Sequence, residues 1–225
     1  MRYYPIFVNL KNKDCLVVGA GEVGKRKSQS LLEAGAKSVL ILDTNAAVAG
    51  LKSILDMENV QFESREFKES DLDGKFLVMA CTSNQQVNGW ISQLCEDREI
   101  LCNIADQPEK SSFIVPATFK RGDLTMAMST AGKSPAMARR IRRELQEKFG
   151  DEYAQMLTLM GRIRPLLLEL GMDTQDNTTV FRELVNSNLL QALGKHDLDA
   201  AQEILEESLP QSLYVNIPEL LDGLI

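Results

Sequence analysis

The stretch GAGEVG, residues 19–24, has the spacing G-x-G-x-x-G, and its chemistry is that of backbone rather than side chain. A first glycine allows a tight turn, a second lets N–H groups close on a pyrophosphate, and a third lets the following helix pack against its strand. Gly19, Gly21 and Gly24 fill those roles, and Glu22 and Val23 complete the loop at a helix start whose dipole favours phosphate. Asp43 stands 24 residues beyond Gly19, near the usual distance for an acid that binds a ribose 2′-hydroxyl. A carboxylate there repels a 2′-phosphate, so NAD is the expected cofactor rather than NADP. Lys25, Arg26 and Lys27 could meet a phosphate and could equally form a solvated helix face. Two further positions follow apolar runs in the same way: Thr82-Ser83-Asn84 after FLVMAC, and Asp106 after LCNIA.

The elements that must position these groups alternate. Apolar runs at 14–19, 38–42, 60–65, 76–81 and 100–105 read as strands, and 23–36, 46–56 and 84–96 have helical spacing. Continuous apolar strands in a βαβαβ rhythm predict an α/β fold with a Rossmann-type parallel sheet covered on both faces. In such a sheet ligands bind at the carboxyl ends of the strands, so Gly19, Asp43, Thr82–Asn84 and Asp106 are expected to share one edge. A carboxylate beside a nicotinamide suits general acid–base work. Asp before a proline-containing turn is also a common turn residue, and the pattern alone leaves both roles open for Asp106.

Beyond Asp106 the pattern changes. Strands are predicted at 113–118 and 124–129 around a turn at Arg121-Gly122-Asp123, followed by STAGKSP and a helix over 135–148 with Ser134 as N-cap. Helices are expected at 153–170, 179–193 and 198–208, with Pro210 and Pro218 bracketing an irregular end. The organisation expected is a NAD-binding domain over 1–112, a small β-containing region over 113–149 and an α-helical C-terminal domain over 150–225. Residues 1–150 carry 21 Lys/Arg against 19 Asp/Glu, whereas 151–225 carry 4 against 13. No part is strongly basic, which argues against nucleic acid as a main partner. No run of about 18 apolar residues and no signal-peptide pattern occurs, so a cytoplasmic protein without a membrane partner is expected. Cys15, Cys81, Cys95 and Cys102 form no CxxC pair and read as reduced core cysteines. The one histidine, His196, is remote from them, and no metal site is expected.

Four stretches follow the order and spacing of a known family: PIFVNLKNKDCLVVGAGEVGKRK, ACTSNQQVN, CNIADQPEKSSFIVPA and MSTAGKSPAMARRIRRELQEKFG. The chain resembles the dehydrogenase module of siroheme synthase, the precorrin-2 dehydrogenase family, some members of which are also sirohydrochlorin ferrochelatases. FRELVNSNLLQALGKHDLDAAQEILEESL is similar to the helical end of that family. The resemblance implies NAD-dependent oxidation of precorrin-2 to sirohydrochlorin, with Asp106 as the catalytic acid of an N-x-x-D element. It implies a homodimer paired through about 113–147. Metal insertion needs a group to remove pyrrole protons, and with no histidine before His196 only Asp106 offers one, so dehydrogenation alone is expected, with ferrochelatase activity as the alternative. A polycarboxylate substrate would be met by Lys133, Ser134 and Arg139, with Arg140, Arg142 and Arg143 nearby, although an RRIRR run also reads as a solvated helix face. Asn84 stands where the family often has Asp, and Thr130-Ala131 where it often has Ser-Gly. The methyltransferase domain fused to some relatives is expected to be absent, the chain ending at Ile225. Two other readings compete: a nucleotide-sensing Rossmann module without catalysis, and an NAD enzyme for a small acid. The second is weakened by the scarcity of histidine.

Overall fold

Five short apolar runs become five parallel strands in a computed structural model of the chain, which describes residues 3–45, 51–105 and 107–224. They are β1 (Asp14–Val18), β2 (Ser38–Asp43), β3 (Val60–Ser64), β4 (Leu77–Ala80) and β5 (Leu101–Ile104), in the spatial order β3-β2-β1-β4-β5. Among the described residues the connections carry three α-helices, α1 (Glu22–Glu33), α2 (Lys52–Leu55) and α3 (Gln85–Asp97), and a 3-10 turn over Glu69–Leu72 between β3 and β4. The helix expected over 46–56 is described only from residue 51 onward; residues 46–50 lie outside the described residues.

The two-residue period of a strand sorts the apolar side chains onto both faces. Cys15, Val17, Val39, Ile41 and Met79 pack with Leu31 of α1 on one side. Leu16, Val18, Leu42, Val78 and Cys102 pack with Ile91 and Cys95 of α3 on the other. Burial pushes the Cys15 thiol up to about 11, and the neighbouring Cys95 together with burial raises Cys102 further, so both are protonated core side chains.

The expected strand over 113–118 starts later. Residues 111–113 run beside β5 instead of forming a strand: the Ser112 and Ser111 hydroxyls accept from the Cys102 and Ile104 N–H groups at 2.8 and 2.9 Å. The Ser112 N–H returns a bond to the Cys102 carbonyl at 2.9 Å. Pro116 has no N–H to offer a ladder and biases Val115, so regular pairing begins at Ala117.

The backbone divides into two units between Val115 and Pro116. The second begins with the antiparallel hairpin β6 (Ala117–Arg121) and β7 (Leu124–Met128), closed by Gly122-Asp123 with Gly122 at φ +52°. Six α-helices follow among the described residues: α4 (Pro135–Lys148), α5 (Glu152–Glu169), α6 (Thr174–Asn186), α7 (Leu189–Lys195), α8 (Leu198–Ser208) and α9 (Ile217–Leu221). Met156, Leu159, Ile163 and Leu167 recur at helical spacing on α5 and build a core with Leu184, Leu193 and Leu205. The single helix expected over 179–193 is two. Ser187 is extended (φ −76°, ψ −178°), and its hydroxyl donates to the Leu184 carbonyl while accepting from the Leu189 N–H. The irregular end expected around Pro218 is helical, because a proline in the first turn of α9 removes an N–H that has no helical partner there.

A charged clamp ties β3 to the crossover toward β4. Both terminal nitrogens of Arg65 meet the Asp71 carboxylate, at 2.8 and 2.7 Å, and its Nε meets Glu63 at 2.6 Å. The Arg65 guanidinium holds the Asp71 carboxyl below its ordinary 3.8. A carboxyl depressed in the fold stabilises above its unfolded pKa, and that contribution is lost as pH falls through the folded value. Asp71→Asn should therefore cost about 1–3 kcal/mol at neutral pH. The difference from the unsubstituted protein should shrink below about pH 3.8, as urea unfolding across pH would measure.

Candidate functional site

The glycine loop lies at the carboxyl ends of the neighbouring strands β1 and β4, the point at which the strand order reverses and where an open α/β sheet binds its ligands. Gly19 has φ +96°, and a Cβ on it would stand 2.6 Å from the Cys81 carbonyl and 2.8 Å from the Thr82 nitrogen. A Cβ on Gly24 would lie 1.8 Å from the Gly19 oxygen. These two glycines are required by backbone meeting backbone. Gly21 is different: a Cβ there would meet nothing within 4 Å. It is the N-cap of α1 in extended conformation, with no side-chain cap on the first-turn N–H groups. Space in front of uncapped donors at a helix start fits a pyrophosphate. Glu22 is exposed and Val23 half-buried at the same helix start.

Asp43 closes β2 beside this loop. Its Oδ2 accepts from the Ala20 N–H at 2.7 Å and its Oδ1 from the Asn45 N–H at 2.9 Å. The carboxylate thus pins the loop to the neighbouring strand. A carboxylate offers about four acceptor positions, so two such bonds leave capacity for a hydroxyl.

The stretch after β4 is held by a residue that the sequence did not single out. Asn88, 3% exposed, accepts from the Thr82 hydroxyl at 2.7 Å and donates to the Thr82 carbonyl at 2.9 Å. Asn84 is the N-cap of α3, its Oδ1 accepting from the Gln86 and Val87 N–H groups. An aspartate could accept the same two bonds, so the Asn84 departure leaves the cap intact. Ser83 is exposed between them.

At the end of β5, Ala105 donates its N–H to the Ala80 carbonyl at 2.9 Å, and Asp106 lies outside the described residues. Gln107, the next residue described, carries a buried Oε1 without a hydrogen-bond partner. Inside the strand Asn103 is 6% exposed; its amide donates to the Phe113 carbonyl at 2.9 Å, and its oxygen accepts from the Lys27 ammonium. Lys27 therefore points into the fold, not along a solvated face. The sequence signal available was a polar residue, Asn103, in the middle of an apolar strand.

Lys133, Ser134 and Arg139 belong to the second unit. Ser134 caps α4, accepting from the Met137 N–H at 3.2 Å, and the Thr130 hydroxyl donates to the Ser134 carbonyl at 3.2 Å. Lys133 and Arg139 are exposed, and Arg140 is paired with Glu144 one turn on at 2.7 Å. Ala131 has φ +52° and Gly132 φ +79°. The departure at Thr130-Ala131 thus puts a Cβ in the left-handed region, where glycine is unstrained.

Comparison with known proteins gives a consistent picture. A family model described as NAD(P)-binding matches residues 6–117, and one described as sirohaem biosynthesis protein central matches residues 121–148. The siroheme synthase of Citrobacter koseri is 33% identical over 95% of this chain, and that of an Enterobacter species 35% identical, also over 95%. The chain spans 46% of the length of each. A solved structure of SirC, a precorrin-2 dehydrogenase, superimposes with TM-score 0.71 at 24% identity, over 91% of this chain and 98% of that one. That likeness establishes the fold. With the loop geometry, the first family model marks the front of the chain as the site of a nicotinamide dinucleotide.

Gly24→Ala should lower both the thermal midpoint and dinucleotide affinity. Gly21→Ala should leave the midpoint nearly unchanged while weakening dinucleotide binding at least roughly tenfold, as calorimetry would read, because its Cβ occupies only the open space. Ala131→Gly should stabilise by about 0.5–1 kcal/mol in urea unfolding, relief of left-handed strain exceeding the added chain entropy.

Proposed function

The chain belongs to the siroheme-synthase family, and on that premise we propose that it oxidises precorrin-2 to sirohydrochlorin with NAD as hydride acceptor. The observation that carries this reading is the glycine loop at the β1/β4 crevice, with the Asp43 carboxylate pinned against it. When bound, the nicotinamide supplies a two-electron sink for a hydride leaving the macrocycle.

The chain's own residues divide the remaining work. The first-turn N–H groups behind Gly19, Gly21, Glu22, Val23 and Gly24 hold the pyrophosphate. Asp43 accepts from the ribose 2′-hydroxyl and repels a 2′-phosphate, which favours NAD over NADP. Thr82, Ser83 and Asn84 form the facing wall of the cofactor crevice. Asp106, following β5, takes up the proton that the macrocycle releases. Lys133, Ser134 and Arg139, at the start of α4, meet substrate carboxylates. Residues 1–112 serve the cofactor, 113–149 serve substrate and dimerisation, and 150–225 form the helical domain. The homodimer reading is supported by α4, which buries none of its side chains and leaves Met137 48% exposed. Among the described residues no helix is long and apolar enough to cross a membrane.

Anaerobic incubation with precorrin-2 and NAD, followed through sirohydrochlorin absorbance and NADH formation, tests the proposal. Turnover is expected, with kcat falling by about 100-fold or more in Asp106→Asn while NAD affinity holds within about twofold. Tight NAD binding without turnover would instead favour a nucleotide sensor. Asp43→Ser should raise the kcat/KM ratio of NADP to NAD by roughly tenfold. Fe²⁺ insertion into sirohydrochlorin that is lost in Asp106→Ala would add chelation to the activity.

A further inference from the structure

Lys27 and Asn103 are 76 residues apart in sequence and meet on the α1 face of the sheet. Strand register sets the level of the contact: Asn103 pairs with Met79, and Met79 with Val17, two residues before Gly19. Lys27 lies one turn beyond Gly24, whose would-be Cβ stands 3.5 Å from the Val17 side chain. The pair therefore joins α1, the helix that the dinucleotide loop opens, to β5, the strand that leads into Asp106, at the level of Val17 and two strands to the side of β1.

Its chemistry fixes one orientation. An ammonium has only donors, so the Asn103 carboxamide must turn its oxygen toward α1 and its NH₂ away. That NH₂ meets the Phe113 carbonyl at 2.9 Å, where the chain returns along β5. Asn103 and Phe113 lie among Met79, Leu101 and the other apolar side chains of this face, where an aliphatic residue would pack without desolvating an amide. A buried polar contact in such a place fixes an orientation that an aliphatic pair would leave free.

We propose that Lys27 is a positioning residue of the dehydrogenase acting through Asn103. The ammonium orients the carboxamide, the carboxamide holds the returning chain at Phe113, and the end of β5 is kept in register with the loop that seats the dinucleotide. This rests on the precorrin-2 dehydrogenase reading above.

The test is a double-mutant cycle of Lys27→Met and Asn103→Leu, with Lys27→Arg as the conservative variant and Lys27→Gln substituted if Lys27→Met does not fold. kcat and KM for precorrin-2, calorimetric NAD affinity and the thermal midpoint are measured for each. Each single change should lower kcat at least tenfold with NAD affinity held within threefold. The double variant should be no slower than the worse single, and Lys27→Arg should keep at least a third of kcat. Two single effects that multiply in the double variant, or wild-type kcat in folded Lys27→Met, would overturn the proposal. Absence of turnover in the unsubstituted protein would instead remove the functional reading on which it rests.

Discussion

One close approach governs the first unit: backbone at Gly19 passes so near the Cys81 carbonyl and the Thr82 nitrogen that no side chain fits between them. That contact joins the carboxyl ends of β1 and β4, where the connections leave toward opposite faces of the sheet. Gly24 repeats the constraint one turn into α1, whose axis can approach the sheet only because a hydrogen stands where a methyl would strike the Gly19 oxygen. Asp43 then fixes the loop from the other side through the Ala20 N–H. The crevice is a product of backbone contacts, and side chains are added to a shape already determined.

This explains which parts were legible in sequence. The glycine pattern, the alternation of strand and helix, and the acid after β2 are local signals, and each implies a backbone geometry on its own. Asn88 and Asn103 carry no such signal. Their value lies in partners brought close by the fold, Thr82 across a turn for one and Lys27 from another layer for the other. Lys27 read equally well as a phosphate ligand or a solvated residue, because helical position alone does not show which strand it will face.

The misplaced boundaries share a cause as well. Apolar periodicity continues across Ser187-Asn188, so a single helix was expected where a serine hydroxyl ends one and starts another. Phe113-Ile114-Val115 has strand composition, yet Ser111 and Ser112 place the segment before it against β5, and Pro116 delays the next ladder. Hydrophobic pattern reports what is buried more reliably than which backbone bonds form.

The serine hydroxyls beside β5 also bear on assembly. A fifth strand at the margin of a sheet presents outward N–H groups that another chain's strand can template upon. Here Ser111 and Ser112 occupy two of those groups from within the same polypeptide. Strand addition at this edge is opposed without burying more apolar surface, and a loop rather than a sixth strand forms the margin of the sheet on that side, as a guard against polymerisation.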